Sequence, residues 1–233
     1  MTGTRSGAGN IQCRSRSPGA RGGGRGYAHF TEGGENNEGG ETNDDDDYLP
    51  PSDLFEPGGF PVFLDRTKRL HERLCSMSEE ELKELFKAND RITRENFERY
   101  QAMDLDRALT PALLSYVGIQ YQYMAPHLFS HDQWEYVKNH LRILSGFYGI
   151  LRPDDRVTPY RLEMQARLSV NGCPDLYAFW GDRLARALAG EAGLVVDLAS
   201  QEYSRAVLPH LPPSVEVLTC TFGELRKDGR VVE

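Results

Sequence analysis

The chain changes character near Phe60. The first fifty residues are rich in Gly, Ser, Asn and charge and carry almost no aliphatic side chains. Such a stretch cannot bury enough apolar surface to offset the entropy of its own chain. Residues 1–59 therefore read as a disordered, low-complexity tail. Its first part sets Arg5, Arg14, Arg16, Arg21 and Arg25 among glycines, and its second part, from Glu32 to Asp47, is acidic. Blocks of this kind solvate rather than fold. An Arg/Gly stretch can bind nucleic acid without order, and an upstream frame translated from the wrong start would look the same. From Phe60 onward Leu, Val, Phe, Tyr and Trp return to ordinary levels. About 170 residues of that composition bury roughly 70% of their surface on folding, which predicts one globular domain over residues 60–233.

Charge narrows what that domain can do. The formal net charge of -8 excludes a protein that coats nucleic acid through overall positive charge, so any nucleic-acid contact has to be local. The four cysteines, Cys13, Cys75, Cys173 and Cys220, stand far apart with no CxxC pair. That pattern indicates neither a disulfide framework nor a zinc site. The N-terminus has basic residues but no apolar core of a secretory signal. No stretch approaches the roughly eighteen apolar residues of a membrane span. The expectation is a cytoplasmic protein with no membrane partner.

Several elements can be placed. Ser78 and Glu81 form a capping box ahead of Leu82, Leu85 and Phe86, which starts a helix. Asn89 and Asp90 interrupt it, and a second helix from about Thr93 carries Phe97 and Tyr100 on one face. Together they make a helical hairpin. Thr110 and Pro111 open a short helix, and Ser130 with Gln133 caps another through Trp134 and Val137. The apolar run from Leu141 to Leu144 is a buried strand or a helix end, which periodicity does not decide at that length. Asp175 to Leu188 reads as one amphipathic helix with Gly190 and Gly193 as stops. Leu194 to Leu198 reads as a buried strand and Glu202 to Leu208 as a short helix. Val215 to Phe222 alternates, and Asp228 followed by Gly229 signals a hairpin into Val231 and Val232. A hairpin stopping there leaves an unpaired edge, so a C-terminal part is expected to be missing.

The run LRILSGFYGILRPDDRVTPYRLEM, Leu141 to Met164, resembles the YaaA family. So do Asp175, Leu176, Tyr177, Phe179, Trp180 and Gly181, and then Asp197, Leu198, Ala199, Ser200, Glu202 and Tyr203. Weaker similarity extends back to about Phe63. Members of the family begin with a short hydrophobic strand and a Ser-Pro-Ala-Lys motif, where this chain has its glycine-rich tail, and they continue into a Lys- and Arg-containing segment. Relative to the family the domain is thus incomplete at both ends. The resemblance implies an α+β (mixed α/β) fold with a helix-hairpin-helix-like element and a positively charged cleft. It further implies a bacterial protein of the peroxide stress response that binds double-stranded DNA with little sequence specificity and limits iron-dependent oxidative damage. No cofactor and no metal ligand is assigned from the sequence, which is silent on direct iron binding.

Phosphate contacts can be assigned from the residues. In the hairpin, Arg91 and Arg94 flank the start of the second helix, where unsatisfied amides and the helix dipole favour an anion. The hairpin lacks the usual glycines, however, and Asp90 sits at its turn, so a plain packed helical pair is the competing reading. Lys138, Arg142, Arg152, Arg156, Arg161 and Arg167 face only Asp154, Asp155 and Glu163 in the same stretch, the best local excess of positive charge in the folded region. The alternative is that Arg161 pairs internally with Glu163 and Arg142 covers a helix end. Tyr148 and Tyr160 can stack on bases or lie in the core with tethered hydroxyls. SGFYG lacks the spacing of a phosphate loop and reads as a tight turn. His127 and His131, four apart, are weak metal candidates. Asp197, Ser200 and Glu202 suit acid-base chemistry or, more simply, helix capping.

No catalytic residue is assigned. A DNA-binding stress protein leads, and an enzyme acting on a nucleotide or phosphorylated small molecule, or an inactive truncated paralogue, are the alternatives.

Overall fold

In a computed structural model the described residues are 10–16, 27–32, 55–108, 110–225 and 231–232, with backbone alone for 10–16, 27–32, 119, 221–225 and 231–232. The elements, in chain order, are β1 (Asn10–Arg16), β2 (Tyr27–Glu32), α1 (Leu64–Cys75), α2 (Glu79–Phe86), α3 (Asp90–Ala102), β3 (Thr110–Pro111), α4 (Ala112–Ser115), α5 (Ile119–Met124) and α6 (His131–His140). They continue with β4 (Leu141–Ser145), β5 (Gly149–Leu151), β6 (Arg156–Val157), α7 (Leu176–Trp180), α8 (Arg183–Glu191), β7 (Leu194–Asp197), α9 (Gln201–Ser204), β8 (Glu216–Leu225) and β9 (Val231–Val232).

The main sheet runs β1-β8-β7-β2-β4-β5, with β9 on the far end of β8. Its centre is parallel: β2 lies between β4 and β7, and β7 pairs with β8. Antiparallel strands β1 and β5 close the two flanks. Parallel strands of this kind are covered on both faces, and all five residues of β4 are buried. β3 and β6 make a separate two-stranded ribbon.

The mixed α+β architecture matches the expectation, and the helical hairpin is α2 with α3, held at its start by the Ser78–Glu81 capping box and at its turn by Asn89, whose side chain accepts from the Ile92 amide. The tail requires a correction at two segments. Asn10–Arg16 and Tyr27–Glu32 are strands, and β2 stands in the middle of the sheet. Low aliphatic content argues against a core of its own, but a central strand borrows its ladder from two neighbours. The short run Tyr-Ala-His-Phe-Thr-Glu has the aromatic and β-branched residues that favour strands. Residues 1–9, 17–26 and 33–54, which hold most of the basic and acidic blocks, lie outside the described residues, as does the Asp228–Gly229 turn.

Two other readings change. Asp175 to Leu188 is not one helix, because Gly181 takes φ +55° and separates α7 from α8. Thr110 and Pro111 form strand β3, and the helix begins at Ala112. The ambiguous Leu141–Leu144 is a strand. Beyond α6, the chain enters the sheet at Leu141 with no intervening loop.

An aromatic cluster fills the space under β4. Phe147, Tyr148, Tyr160 and Tyr100 are fully buried and pack edge-on or stacked at centroid distances between 5.0 and 5.9 Å. Their hydroxyls are tied: Tyr160 to Ser145 and to Tyr116 at 2.9 Å, Tyr148 to Thr158 Oγ1 at 3.0 Å, and Tyr100 to the Arg161 carbonyl at 2.7 Å. Burial raises the phenol pKa of Tyr100, Tyr116, Tyr148 and Tyr160, so these tyrosines serve as neutral hydrogen-bonding core residues. Of the two readings of Tyr148 and Tyr160, the structure agrees with the core one with tethered hydroxyls.

Candidate functional site

The predicted cations separate into two groups by the work their guanidinium groups already do. Arg142 is buried: Nε donates to Glu191 Oε2 at 2.7 Å, and Nη1 donates to the carbonyls of Lys138 at 3.1 Å and Leu141 at 2.6 Å. It closes the open carbonyl end of α6 and ties it to the end of α8. Arg156 donates from Nε to the Gly58 carbonyl at 2.9 Å and lies 5.6 Å from the Phe60 ring centroid, which pins the segment entering α1. Arg161 is only 12% exposed in its side chain and reaches Glu163 at 4.0 Å. For these three the geometry favours a structural role: Arg142 and Arg156 donate to protein acceptors, and Arg161 is largely enclosed beside Glu163.

The others face solvent. Arg91 and Arg94 stand on the first two turns of α3 with side chains 72% and 67% exposed, paired only with Glu95 at 2.8 Å and Glu79 at 3.6 Å. Lys138 pairs with Glu135 at 2.7 Å. Arg152 and Arg167 are exposed and have no ion pair among the described residues.

Two concavities flank the sheet. The first, about 420 Å³, lies between the β5–β6 turn and α8, with Arg142 in its floor, Arg152 and Asp155 on one side and Glu191 on the other. Three carboxylates, Asp154, Asp155 and Glu191, outnumber its two arginines, which makes it a poor seat for a polyanion. Asp155 is 5% exposed and its Oδ2 accepts from the Arg152 amide at 2.8 Å. Burial, opposed in part by that bond, pushes its carboxyl up to about 6 from 3.8. Since the folded value exceeds the unfolded one, folding favours the protonated form, and Asp155 costs stability as pH rises through about 6. Asp155→Asn keeps the acceptor and removes the charge. It is expected to raise stability at neutral pH by about 2 to 3 kcal/mol, a gain that vanishes below the ordinary carboxyl value. Urea denaturation of both proteins across pH checks this, and a constant difference at all pH would contradict it.

The second concavity, about 680 Å³, opens where β7 ends beside the middle of β8, with Asp197, Leu198, Ser200, Arg205, Leu208 and Thr219 around it. Asp197 and Thr219 are partners in register at that edge. The crevice beyond the carboxyl ends of parallel strands is the usual ligand position in such sheets. Asp197 is buried, and its Oδ1 accepts from Ser204 Oγ at 2.8 Å and from the Ala199 amide at 3.2 Å, so it shapes the loop into α9. Glu202 accepts from the Gln165 amide at 2.9 Å, and its carbonyl accepts from the Tyr177 hydroxyl at 3.0 Å. Asp197 and Glu202 thus hold the loop before α9 and the segment at Gln165, and α9 itself carries no side-chain cap bond at Ser200. Arg205 lies 4.9 Å from the Tyr177 ring centroid and lends the pocket a cation. Among the described residues no three His, Cys, Asp or Glu side chains are grouped to hold a metal ion, and no helix is long and apolar enough to cross a membrane.

Residues 43–233 match the family model described as peroxide stress protein YaaA. The chain belongs to that family. A UPF0246 protein of Desulfitobacterium hafniense is 49% identical over 181 residues, covering 78% of this chain and 72% of the relative. A UPF0246 protein of Lachnoclostridium phytofermentans is 50% identical over 175 residues, covering 75% of this chain and 68% of the relative. A third, of Agathobacter rectalis, is 47% identical over 173 residues, covering 74% and 70%. Of the motif blocks that carry the family resemblance, the first supplies Arg142 and Arg152 to the first pocket and the last supplies Asp197 to Ser200 to the second, while Asp175 to Gly181 form α7 with its caps.

Charge counting along the chain missed three residues, Arg66, Arg69 and Arg183. Two stand on α1 at a spacing of three and the third opens α8, so no sequence window contains them all. The i, i+3 pair on a helix is the one signal that was available.

Proposed function

We propose that the chain serves in protection against peroxide by binding double-stranded DNA with little sequence preference. The observation that carries this reading is the exposure of Arg91 and Arg94 at the start of the second helix of the hairpin. Their carboxylate partners are exposed too, and such surface pairs contribute only about 0 to 1 kcal/mol. A DNA phosphate can displace them at little cost. Asn89 caps the Ile92 amide and leaves other first-turn amides of α3 to face an anion. Arg152 and Arg167 supply further free cations.

Binding of duplex DNA, read by anisotropy over a salt series, tests this. Each lost phosphate contact lowers the slope of log affinity against log salt by about 0.9. The double replacement Arg91→Gln with Arg94→Gln is expected to lower it by about 2 and to weaken binding by an order of magnitude or more. Absent or salt-indifferent binding by the parent chain would sink the reading.

A second reading is a protein acting on a nucleotide or other phosphorylated small molecule. The observation favouring it is the second pocket, which lies at the carboxyl end of β7 with Arg205 at its wall. A small phosphorylated ligand that raises the melting midpoint where DNA does not would decide for it.

A further inference from the structure

Arg66 and Arg183 meet at the end of α7, and Arg69 stands one turn along α1 from Arg66. Arg66 Nη2 donates to the Phe179 carbonyl at 2.8 Å, with its guanidinium 4.4 Å from the Phe179 ring centroid. Arg183 Nη1 donates to the very next carbonyl, that of Trp180, at 3.2 Å. Neighbouring acceptors thus fix both groups at one spot. Arg69, exposed, lies one turn further along α1. The three charges feel one another. Partial burial, then the charge of Arg183, then that of Arg69 push the Arg66 pKa down.

Among the described residues no carboxylate pairs with this cluster. Each guanidinium carries five N–H donors, and the hydrogen bonds made by these three among the described residues are the two to Phe179 and Trp180. Arg66 Nε is enclosed and has no acceptor. Among the described residues none of the three is in an ion pair with a carboxylate, and the adjacent Asp182 is engaged with Arg186 at 3.0 Å. α8 begins at Arg183 itself, so the positive end of its dipole adds to the same field.

We propose that Arg66, Arg69 and Arg183 form a binding site for a dianionic phosphate, the terminal group of a phosphate monoester or of a pyrophosphate. Such a group presents three unesterified oxygens to three guanidinium forks and removes their mutual repulsion. A phosphodiester presents two oxygens and one charge, so the nucleic-acid backbone is the poorer match. The site lies on α1, α7 and α8, apart from the hairpin residues Arg91 and Arg94, and stands whether or not the chain binds DNA.

Melting-midpoint and phosphorus NMR titrations of the full chain with inorganic pyrophosphate, phenyl phosphate, dimethyl phosphate and a short DNA duplex test it. Pyrophosphate and phenyl phosphate are expected to bind and to raise the midpoint, and dimethyl phosphate to do neither. Arg69→Gln and Arg183→Gln should each weaken pyrophosphate binding by about tenfold, while Arg91→Gln leaves it unchanged. Arg69 is exposed, so its variant should keep the parent's unliganded midpoint. No binding of pyrophosphate, or binding that survives both replacements, overturns the proposal. It is equally overturned if dimethyl phosphate and duplex DNA bind as well as pyrophosphate and lose affinity with it in the variants, which would make the cluster a backbone contact.

Discussion

Gly146→Ala is expected to destabilise the chain by about 3 kcal/mol or more, the upper end of what overpacking costs. The reason lies in what surrounds the missing side chain. A Cβ at this position would stand 2.4 Å from the Leu162 carbonyl oxygen and 2.9 Å from the Glu163 carbonyl carbon. Both are backbone atoms, so no rotamer change can relieve the clash. The segment 162–163 would have to move, and it is fixed from the other side by the Tyr100 hydroxyl, which donates to the Arg161 carbonyl at 2.7 Å. The Gly146 carbonyl also accepts from Trp180 Nε1 at 3.0 Å, with Trp180 itself fully buried. Displacing residue 146 therefore disturbs the aromatic cluster, the β4–β5 turn and α7 together. Urea denaturation gives the measurement. A variant within about 1 kcal/mol of the parent would mean that the 162–163 segment yields easily.

That turn also illustrates how much could be read from the sequence. SGFYG was legible as a structural turn because it lacks the spacing of a phosphate loop, and the geometry agrees: Gly149 takes φ +81° with Trp180 against it. The capping boxes at Ser78 and Ser130 were legible because they are purely local, and both are formed. Less local features were not. Leu141 to Leu144 is too short for periodicity to separate strand from helix, and only pairing with β2 and β5 settles it. The break at Gly181 depends on a positive φ that an apolar stripe conceals. Strands β1 and β2 exist through partners far along the chain, which composition cannot weigh.

The candidate site was legible only as a sum of charges. Lys138 to Arg167 does hold an excess of cations, but the chain does not say which carbonyl each will meet. Arg142, Arg156 and Arg161 are taken up by the fold, whereas Arg66 and Arg183, far apart in sequence, meet over adjacent carbonyls of α7.

Arg142 offers the sharpest separation of a structural from a phosphate-binding role, and Arg142→Met is expected to cost about 2 to 4 kcal/mol. The estimate sits below the full penalty for breaking a buried ion pair because one partner can rehydrate. Glu191 has 43% of its side chain exposed, against 5% for Arg142. Methionine fills most of the arginine stem but donates nothing, so the Lys138 and Leu141 carbonyls lose their partner at the junction of α6 and β4. Each buried acceptor left open costs about 1 to 3 kcal/mol. Glu191→Gln keeps an acceptor for Arg142 Nε and should cost under about 1 kcal/mol. The ordering, Met at 142 far worse than Gln at 191, follows from the carbonyl bonds rather than the ion pair. Urea denaturation of both variants reads it directly. If Arg142→Met were nearly neutral in stability yet weakened DNA binding in the folded chain, Arg142 would be a phosphate contact after all.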